Sequence, residues 1–494
     1  MVGKKFYLVN TTFQFFPGIS ICESEDLVHW KHISNVLTSS ADLNLDSYPD
    51  NLGVWACDIS YSNNSFYIFY CLVHCVKSKN INIRGNYMVH SKSINGPWSK
   101  PIQLNEEGND PSHFNDDDGE HYMLYSAGIS RGVGNKIVKL NKDCSKVVDG
   151  PFWLNWGEEK RHPEGPHLYK RNGYYYHSMA FGDLKTGISQ QIIARSKNIY
   201  GPYEPSPHNP VILETSPNSK LTNTEHAMFI KIPNGEWWAL YHSNRNIKGV
   251  NILGRETCLD KLTWLEDGWP VLNEGKGVSE ESVSPNLSQK IYKTDTRDEF
   301  NKPTLSVEWQ FTRNPDSSYF SLSERNGYLR LYTHPYDLDT IKSKGVIVRR
   351  ELYLNSEAIT SLSFEGKGEA QAGLVCYYNT QNFIKFGIKD NHLILVENRD
   401  GKKTELQSTT IQPNKKLFLK VRTDSLARRF YYSEDAKNWK AAGYVEEADF
   451  LSGKHGYHGT MIGVFACDPS GKNKLKADFD FFEYKEVTNK VGMF

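Results

Sequence analysis

Short apolar runs rich in aromatic residues recur along the first 270 residues, and most follow a turn that contains Gly or Asn. Asn234-Gly235-Glu236-Trp237-Trp238 is the clearest copy. The other four copies contain Phe6-Tyr7, Phe66-Tyr67, His121-Tyr122 and Tyr174-Tyr175-Tyr176. Short aromatic runs bounded by turn residues predict β-strands, and no long helical periodicity appears between them.

A second element follows each aromatic strand, some 20 to 30 residues later. Its five copies are Asp26-Leu27-Val28-His29-Trp30, Gly96-Pro97-Trp98, Gly150-Pro151-Phe152, Gly201-Pro202-Tyr203 and Leu262-Thr263-Trp264. The whole unit therefore repeats roughly every 54 to 62 residues. Radial repetition of four-stranded units is how a β-propeller limits its exposed sheet edges. Five copies predict five blades.

An unusual residue stands 12 positions before the second aromatic of four copies. These residues are Trp55, Asp110, Glu164 and His226, and for Tyr7 the position falls before Met1. A residue at a fixed offset before the same strand is expected to occupy the same place in every blade. If that place is the start of the innermost strand, the four side chains converge on the propeller axis.

The repeat stops after Phe300, beyond a polar, linker-like stretch at 274–293. Alternating runs such as Gly327-Tyr328-Leu329-Arg330-Leu331-Tyr332 then continue to the end of the chain. Spaced strands with this period predict a β-sandwich. We therefore predict an all-β protein with a five-bladed propeller over 1–285, its first inner strand incomplete, and a concanavalin-like sandwich over 296–494.

Composition excludes several classes of partner. The formal net charge is zero, which argues against nucleic acid or a membrane surface bound mainly through charge. The eight cysteines are scattered without paired metal spacing, so reduced thiols are expected. No apolar run is long enough to span a membrane, and no signal peptide follows Met1. A cytoplasmic location is expected, unless residues before Met1 carry a signal.

Asp110 and Glu164 are the candidate catalytic pair. Glu164 lies between Pro163 and Gly165, where a carboxylate has little local structural reason to be. Asp110 precedes Pro111, as turn aspartates often do, but it shares the offset of Glu164. Two carboxylates facing one pocket suit glycoside hydrolysis, in which one is protonated to donate to the leaving oxygen.

Three further residues are candidates for binding. Trp55 would offer a flat wall to a sugar ring, and a fixed Arg255 guanidinium suits sugar hydroxyls or a salt bridge. His226 could touch substrate, orient Arg255, face a central ion or water, or be a satisfied core histidine. The run Asp116-Asp117-Asp118-Gly119 lacks the remaining spacing of a calcium loop and predicts a solvated turn.

The chain resembles glycoside hydrolase family 43, the β-xylosidase and α-L-arabinofuranosidase family, over nearly its whole length. The resemblance is carried by the motifs at residues 12–18, 54–56, 110–112, 163–169, 254–257, 266–270, 298–300 and 313–315. It implies a five-bladed propeller with a C-terminal sandwich. It also implies that Glu164 is the general acid, that Asp110 tunes the acid's pKa, and that Phe13, Trp55 and Arg255 line the innermost sugar subsite.

The resemblance further implies inversion at the anomeric centre by a water that a general base activates. That base is an Asp in a Pro-Asp-Pro-Ser motif, which this sequence lacks. The sequence around Met1 matches the region just downstream of the motif, so we expect an N-terminally truncated chain whose base would lie before Met1. Three other departures are Cys57 for Pro, Glu225 for Gly, and Met461 where related sandwiches direct a Phe toward the pocket.

The leading hypothesis is an exo-acting, inverting β-xylosidase or α-L-arabinofuranosidase on xylan-derived oligosaccharides, weakened by the missing base. The alternative is a catalytically inactive carbohydrate-binding propeller. A fructan-cleaving propeller enzyme would need a first-blade nucleophile and a Glu-Cys-Pro acid, neither of which is present. No cofactor is expected, although a structural cation such as calcium is compatible with the sequence. A homo-oligomer is also compatible.

Overall fold

The computed structural model describes residues 1–77, 80–127, 134–154, 163–182, 189–213, 219–293, 295–412, 416–453 and 457–488, without the side chains of 75–84. Strands make up nearly all of the regular structure in this part of the chain, with two single-turn 3-10 helices at Asn273–Gly275 and Asp449–Leu451. Neither helix is long or apolar enough to cross a membrane.

Five antiparallel sheets form the propeller, and each is built from consecutive strands. Blade 1 contains β1 (Phe6–Asn10), β2 (Gly18–Ser24) and β3 (Lys31–Leu37). Blade 2 contains β4 (Gly53–Ser62), β5 (Ser65–Lys77), β6 (Asn80–Ser91) and β7 (Ile102–Gln103). Blade 3 contains β8 (Asn109–Asn115), β9 (His121–Ser126), β10 (Asn135–Leu140) and β11 (Val147–Trp153).

Blade 4 contains β12 (Pro163–Arg171), β13 (Tyr174–Gly182), β14 (Ser189–Ser196), β15 (Glu204–Pro205) and β16 (Ile212–Leu213). Blade 5 contains β17 (Leu221–Lys231), β18 (Trp237–Arg245), β19 (Arg255–Trp264) and β20 (Pro270–Leu272). The five-bladed propeller predicted from the repeat is confirmed.

Local sequence explains how the inner hairpins close. Asn63 and Asn64 join β4 to β5, and both have positive φ angles, of 50° and 57°. Asn172 and Gly173 join β12 to β13 with φ angles of 50° and 76°. Two-residue loops with positive φ at both positions match the right-handed twist of the strands, and Asn and Gly adopt that conformation at low cost.

Hairpin register explains the constant offset of 12 residues. In blades 2 to 5, the second aromatic of the repeat lies on the second strand. It pairs with a residue of the first strand that comes four or five positions after Trp55, Asp110, Glu164 or His226. These pairs are Ser60 with Tyr67, Phe114 with Tyr122, Tyr169 with Tyr176, and Ile230 with Trp238. Trp55, Asp110, Glu164 and His226 therefore lie at equivalent levels of β4, β8, β12 and β17, the innermost strands of their blades.

The second domain is a β-sandwich of two antiparallel sheets. One sheet has the order β23-β24-β35-β26-β31-β32-β33, with β21 paired to β35, and the other has the order β22-β25-β34-β27-β28-β29-β30. The first half of this domain contains β21 (Arg297–Asp298), β22 (Gln310–Phe311), β23 (Phe320–Ser321), β24 (Leu329–Tyr332), β25 (Val346–Arg350), β26 (Asn355–Phe364), β27 (Gln371–Asn379) and β28 (Asn382–Lys389).

The second half contains β29 (His392–Arg399), β30 (Lys402–Thr410), β31 (Leu417–Asp424), β32 (Ala427–Ser433), β33 (Lys440–Val445), β34 (Met461–Cys467) and β35 (Lys476–Glu486). The predicted sandwich is confirmed. The domain limits of 285 and 296 stay predictions.

The sandwich is fixed against the propeller next to the axis. The backbones of Phe16 and Phe311 exchange hydrogen bonds of 2.9 and 2.7 Å. Thr460 donates its backbone N–H to the carbonyl of Ile252 at 2.9 Å. Gly254, which has a φ of 72°, lies so close to Gly459 that an added Cβ would collide with the Gly459 backbone. These contacts bring the loop before β34 directly over the propeller axis.

Candidate active site

A cavity of about 590 Å³ opens at the propeller axis. Its walls come from the inner strands of blades 2 to 5, from β1, β18 and β19, and from the sandwich residues Arg350 and Tyr457. All six residues predicted from the sequence line this one cavity, namely Phe13, Trp55, Asp110, Glu164, His226 and Arg255. The predicted convergence on the axis is therefore present in the structure.

Bulges at the same level of four inner strands turn these side chains toward the axis. The pairing of β4, β8, β12 and β17 with their neighbours shifts register beside Trp55, Asp110, Glu164 and His226. Asp110 and His226 have positive φ angles of 52° and 54°. A bulge adds one residue to a strand and re-aims the side chains beside it, which is why bulges are common at active sites.

Gly165 allows blades 4 and 5 to approach closely at this level. Its φ is 50°, and an added Cβ would lie 2.6 Å from Nδ1 of His226. A side chain at this position would push the imidazole away from Glu164. The glycine after Glu164 is therefore needed so that the His226 ring can pack against the backbone of blade 4.

Asp110, Glu164 and His226 form the centre of the site. One ligand atom from each of these side chains lies within 4.8 Å of the others. Oδ2 of Asp110 accepts a hydrogen bond of 3.2 Å from the backbone N–H of Gly165. Burial raises the pKa of Asp110, and the nearby Glu164 carboxylate adds to this effect while His226 opposes it. Two carboxyl groups this close resist simultaneous ionisation.

His226 supplies positive charge beside the two carboxyl groups. Its Nε2 lies 3.6 Å from Oε2 of Glu164, within ion-pair range but longer than a hydrogen bond. Burial lowers the pKa of His226, but Glu164, Asp110 and Glu225 outweigh burial, so this pKa is raised overall. Nε2 is buried without a hydrogen-bond partner among the described residues, and it faces the cavity lined by the carboxylates.

Glu225 and His242 form a second polar layer around Arg255. Oε1 of Glu225 lies 3.8 Å from Nη2 of Arg255 and 3.6 Å from Nε2 of His242. Burial alone would raise the pKa of Glu225, but His242, His226 and Arg255 lower it to about 2. Burial and the charge of Arg255 lower the pKa of His242 to about 3. Glu225 is therefore anionic and His242 neutral near neutral pH.

Aromatic side chains form one wall of the cavity. The Tyr457 ring centroid lies 5.8 Å from that of Phe13 and 5.9 Å from that of Trp55. The guanidinium carbon of Arg255 lies 4.9 Å from the same Tyr457 centroid. Trp55 is held in place by a hydrogen bond of 3.0 Å from its Nε1 to the carbonyl of Asn51. A flat apolar wall beside charged groups suits a sugar, which has both an apolar face and hydroxyls.

Sequence reasoning missed Tyr457, because this residue comes from the sandwich and lies outside the propeller repeat. The sequence directed attention instead to Met461, which is buried in the sandwich core and does not line the cavity. Reasoning from the sequence also missed His242 and Asp58. Asp58 lines the cavity, and burial raises its pKa to about 7 although it accepts a 2.8 Å hydrogen bond from the backbone N–H of His113.

The turn at residues 116–118 was predicted to be solvated, and this is wrong for Asp116. Its side chain is buried, forms a short ion pair of 2.5 Å with Lys170, and accepts a 2.6 Å hydrogen bond from the Tyr175 hydroxyl. Asp117 and Asp118 are exposed. Asp116 therefore joins blade 3 to blade 4.

Among the described residues, two groups of side chains have the composition of metal ligands. The first is Asp110, Glu164 and His226 themselves. The second is His113, His121 and Cys144, with 3.0 Å between His113 Nε2 and His121 Nδ1. His113 Nδ1 also contacts Ser60 at 2.6 Å, so this group forms a hydrogen-bonded network as it stands. The expectation that no cofactor is needed stays a prediction.

Family comparisons agree with this architecture. Residues 1–270 match Glycosyl hydrolases family 43, and residues 297–485 match the beta xylosidase C-terminal Concanavalin A-like domain. A beta-xylosidase of Bacillus subtilis (strain 168) is 32% identical over 518 residues, covering 98% of this chain and 96% of the relative. The non-reducing end alpha-L-arabinofuranosidase BoGH43B of Bacteroides ovatus is 30% identical over 517 residues, covering 98% and 91%.

Solved structures give the same result. The GH43 BlXynB protein from Bacillus licheniformis superposes with a TM-score of 0.93 at 40% identity, covering 99% of this chain and 96% of that one. The xylan beta-1,4-xylosidase from Bacillus halodurans C-125 also gives 0.93, at 31% identity, covering 98% and 97%. Family models match both domains, and a relative with 32% identity matches almost the full length of the chain. The chain therefore belongs to glycoside hydrolase family 43.

Proposed function

We propose that this protein is an exo-acting, inverting glycosidase that releases terminal β-D-xylosyl or α-L-arabinofuranosyl residues from xylan-derived oligosaccharides. The observation that carries the proposal is the Asp110–Glu164–His226 cluster, within 4.8 Å at the axis of a cavity with an aromatic wall. The names of the relatives, beta-xylosidase and alpha-L-arabinofuranosidase, support this choice of substrate.

Exposure supports Glu164 rather than Asp110 as the proposed general acid. The Glu164 side chain is 36% exposed, whereas Asp110 is only 5% exposed. Glu164 can therefore reach the glycosidic oxygen and donate its proton as the bond to the anomeric carbon breaks. Asp110 accepts a hydrogen bond from the Gly165 N–H, which holds it beside Glu164.

The remaining residues would hold the terminal sugar. Phe13, Trp55 and Tyr457 offer apolar surface to one face of the ring, and Arg255 offers N–H donors to its hydroxyls. The wall that Tyr457 adds from the sandwich side supports the exo-acting mode, in which the site takes a chain end. Xylose and arabinose present similar hydroxyls, and both substrates are therefore included in the proposal.

Water activation is the weakest part of the site. Within the described residues, no Asp or Glu of blade 1 lines the cavity. Three other acidic side chains line it: Glu225 beside Arg255, Glu256 paired with Arg245, and Asp58, whose Oδ2 accepts the His113 N–H while its Oδ1 has no hydrogen-bond partner among the described residues. General-base assistance is commonly worth ~10²–10⁴-fold in rate. We assign no water-activating carboxylate among the described residues.

The alternative is a sugar-binding protein without turnover. The two functions separate when 4-nitrophenyl β-D-xylopyranoside and 4-nitrophenyl α-L-arabinofuranoside are incubated with the protein, and xylobiose binding is measured by calorimetry. Release of nitrophenol that depends on the protein supports the glycosidase. Xylobiose binding without any such release supports the binding protein, and the absence of both would contradict both functions.

A cytoplasmic location and a homo-oligomeric state are also kept as proposals. Cell fractionation followed by immunodetection tests the location, and sedimentation equilibrium tests the state of association. A protein found outside the cytoplasm, or a monomer at all concentrations, would contradict the respective proposal.

A further inference from the structure

Two histidines and one cysteine form a compact group at the contact between blades 2 and 3. His113 lies on β8, His121 begins β9, and Cys144 lies in the loop between β10 and β11. One ligand atom from each of these side chains lies within 4.8 Å of the other two. His121 and Cys144 are buried, and His113 is partly exposed. None of the three lines the axial cavity, so the group is separate from the proposed active site.

Hairpin register brings the two imidazoles together. His113 pairs with Met123 and His121 pairs with Asn115, so both histidines lie on the same face of the β8–β9 hairpin. Nε2 of His113 lies 3.0 Å from Nδ1 of His121, and the two rings are nearly parallel, at 11°. The Phe69 ring of blade 2 stacks on His113 with 4.9 Å between centroids. Packing from the neighbouring blade therefore holds this imidazole in place.

Cys144 adopts a backbone conformation that residues other than Gly and Asn rarely take. Its φ is 59°, in the left-handed region, and its backbone N–H closes a turn onto the carbonyl of Asn141 at 2.9 Å. The turn places Sγ of Cys144 3.6 Å from Nε2 of His113. A non-glycine residue held in this region with its side chain fully buried indicates that the side chain has a role there.

The three ligand atoms crowd around one nitrogen. Nε2 of His113 has a single in-plane lone pair or N–H, and it faces both Nδ1 of His121 and Sγ of Cys144. It therefore satisfies only one of these two atoms at a time. A metal ion would satisfy all three ligand atoms, because it accepts a lone pair from each.

The spacing of the group fits a metal ion of the size of Zn²⁺. Zn–N bonds of about 2.0–2.1 Å and Zn–S bonds of about 2.3 Å, at tetrahedral angles, place two nitrogens about 3.3 Å apart and a nitrogen and a sulfur about 3.5 Å apart. The corresponding distances in the group are 3.0 and 3.6 Å. A pivot of the His121 ring that separates the two nitrogens by about 0.3 Å would replace their hydrogen bond by coordination.

We propose that His113, His121 and Cys144 bind a Zn²⁺ ion, with a water molecule as the fourth ligand. Imidazole and thiolate are ligands that Zn²⁺ prefers, whereas Ca²⁺ and Mg²⁺ prefer oxygen. On binding, the Cys144 thiol loses its proton to solvent, and both imidazoles coordinate in the neutral form. The ion would clip the loop before β11 to β8, which carries Asp110 three residues before His113.

Neighbouring polar groups would hold the imidazoles in the tautomers that coordination needs. Oγ of Ser60 lies 2.6 Å from Nδ1 of His113 and can accept its N–H, which leaves Nε2 free to coordinate. The side-chain amide of Asn63 lies 3.4 Å from Nε2 of His121, and in its flipped orientation the amide oxygen accepts the Nε2 N–H. Both partners belong to blade 2, so the bound ion would also strengthen the contact between the two blades.

Cobalt binding tests the proposal, because a thiolate bound to Co²⁺ gives an intense charge-transfer absorption in the near ultraviolet, which oxygen and nitrogen ligands do not give. The untagged, full-length protein is freed of metal with a chelator and titrated with Co²⁺, and Zn²⁺ or Ca²⁺ is then added in excess. Cys144→Ser and His121→Gln each remove one ligand. Cys57→Ser is the control, because Cys57 lines the axial cavity, where the other candidate metal group lies.

We expect one Co²⁺ per chain to produce the charge-transfer band, and Zn²⁺ to displace it with a Kd below about 1 μM while Ca²⁺ does not. Cys144→Ser should abolish the band, His121→Gln should weaken Zn²⁺ binding by at least ~10-fold, and Cys57→Ser should behave like the native chain. No band from the native chain at saturation, or a band that persists in Cys144→Ser, overturns the proposal. A band that is lost only in Cys57→Ser would place the ion at the axis instead.

Thermal unfolding provides a second readout. Zn²⁺ at about 100 times its Kd should raise the unfolding midpoint of the native chain by at least about 2 °C more than that of Cys144→Ser, because an ion that binds only the folded state stabilises it. Equal shifts would contradict binding at this group. Circular dichroism checks that each variant folds, and if one does not, the cobalt band of the native chain and of the other variants decides. Neither readout depends on whether the protein hydrolyses sugars.

Discussion

Neutralising Glu225 tests the electrostatics of the site most quantitatively. Glu225 has a side chain only 12% exposed, and its carboxylate contacts Arg255 at 3.8 Å and His242 at 3.6 Å. In Glu225→Gln the shape of the side chain is nearly kept and the charge is removed. The variant therefore loses the attraction between the Glu225 carboxylate and the charges of Arg255 and His226.

The magnitude follows from the lowered pKa of this carboxyl group. Despite burial, His242, His226 and Arg255 lower the pKa of Glu225 from its ordinary 4.5 to about 2. A tenfold change in an acid dissociation constant corresponds to about 1.4 kcal/mol, so the ionised Glu225 stabilises the folded state by about 3 kcal/mol. Because the folded-state pKa is depressed, this contribution is fully present above pH 4.5 and is lost as the pH falls toward 2. At pH 3 about 1 kcal/mol should remain.

The assay is urea-induced unfolding of the native chain and of Glu225→Gln at several values of pH from 3 to 7. The difference in the free energy of unfolding should be about 3 kcal/mol at pH 7 and should shrink to about 1 kcal/mol at pH 3. Glu405→Gln, on the exposed strand β30, is the control and should change stability by less than about 0.5 kcal/mol. A difference for Glu225→Gln that does not change with pH would refute the reasoning.

Two other substitutions test how the site is built. Tyr457→Ala removes the ring that contacts Phe13, Trp55 and Arg255. Calorimetry should show xylobiose binding weakened by about 1–3 kcal/mol, or roughly 5- to 150-fold. Unchanged affinity would exclude the sandwich from the site. Gly165→Ala places a Cβ 2.6 Å from His226, at a residue whose φ is 50°. In urea unfolding it should destabilise the protein by about 1–3 kcal/mol more than Gly173→Ala, a control in a turn with open space around it. Equal destabilisation by the two substitutions would mean that the blades do not pack closely at Gly165.

The propeller and most of the site could be predicted from the sequence because both depend on the repeat. The offset of 12 residues is a property of the inner hairpins, and their register preserves it in the structure. Trp55, Asp110, Glu164 and His226 could therefore be placed at one level of the axis from the sequence alone.

Residues outside the repeat could not be placed in this way. Tyr457 reaches the axis only because the sandwich is fixed to the propeller near Gly254, and this contact between distant parts of the chain has no local sequence signal. Glu225 could be seen only as an unusual residue before His226, because its role depends on Arg255 and His242 of neighbouring strands. Asp116 was misjudged for the same reason, since its partners Lys170 and Tyr175 belong to the next blade.

The central claim is that Glu164 protonates the leaving group, and leaving-group dependence tests it most directly. Xylose leaves xylobiose only when its oxygen is protonated, whereas dinitrophenolate leaves 2,4-dinitrophenyl β-D-xylopyranoside without a proton. Sodium azide is included in every reaction, because this nucleophile needs no general base. Calorimetry first confirms that Glu164→Gln still binds xylobiose.

Rates of azide-dependent cleavage of both substrates are then compared between the native chain and Glu164→Gln. The account predicts that the substitution slows xylobiose cleavage by ~10²–10⁴-fold and slows cleavage of the dinitrophenyl xyloside by less than about tenfold. Equal losses on the two substrates, undiminished xylobiose cleavage by Glu164→Gln, or no azide-dependent cleavage by the native chain would contradict it.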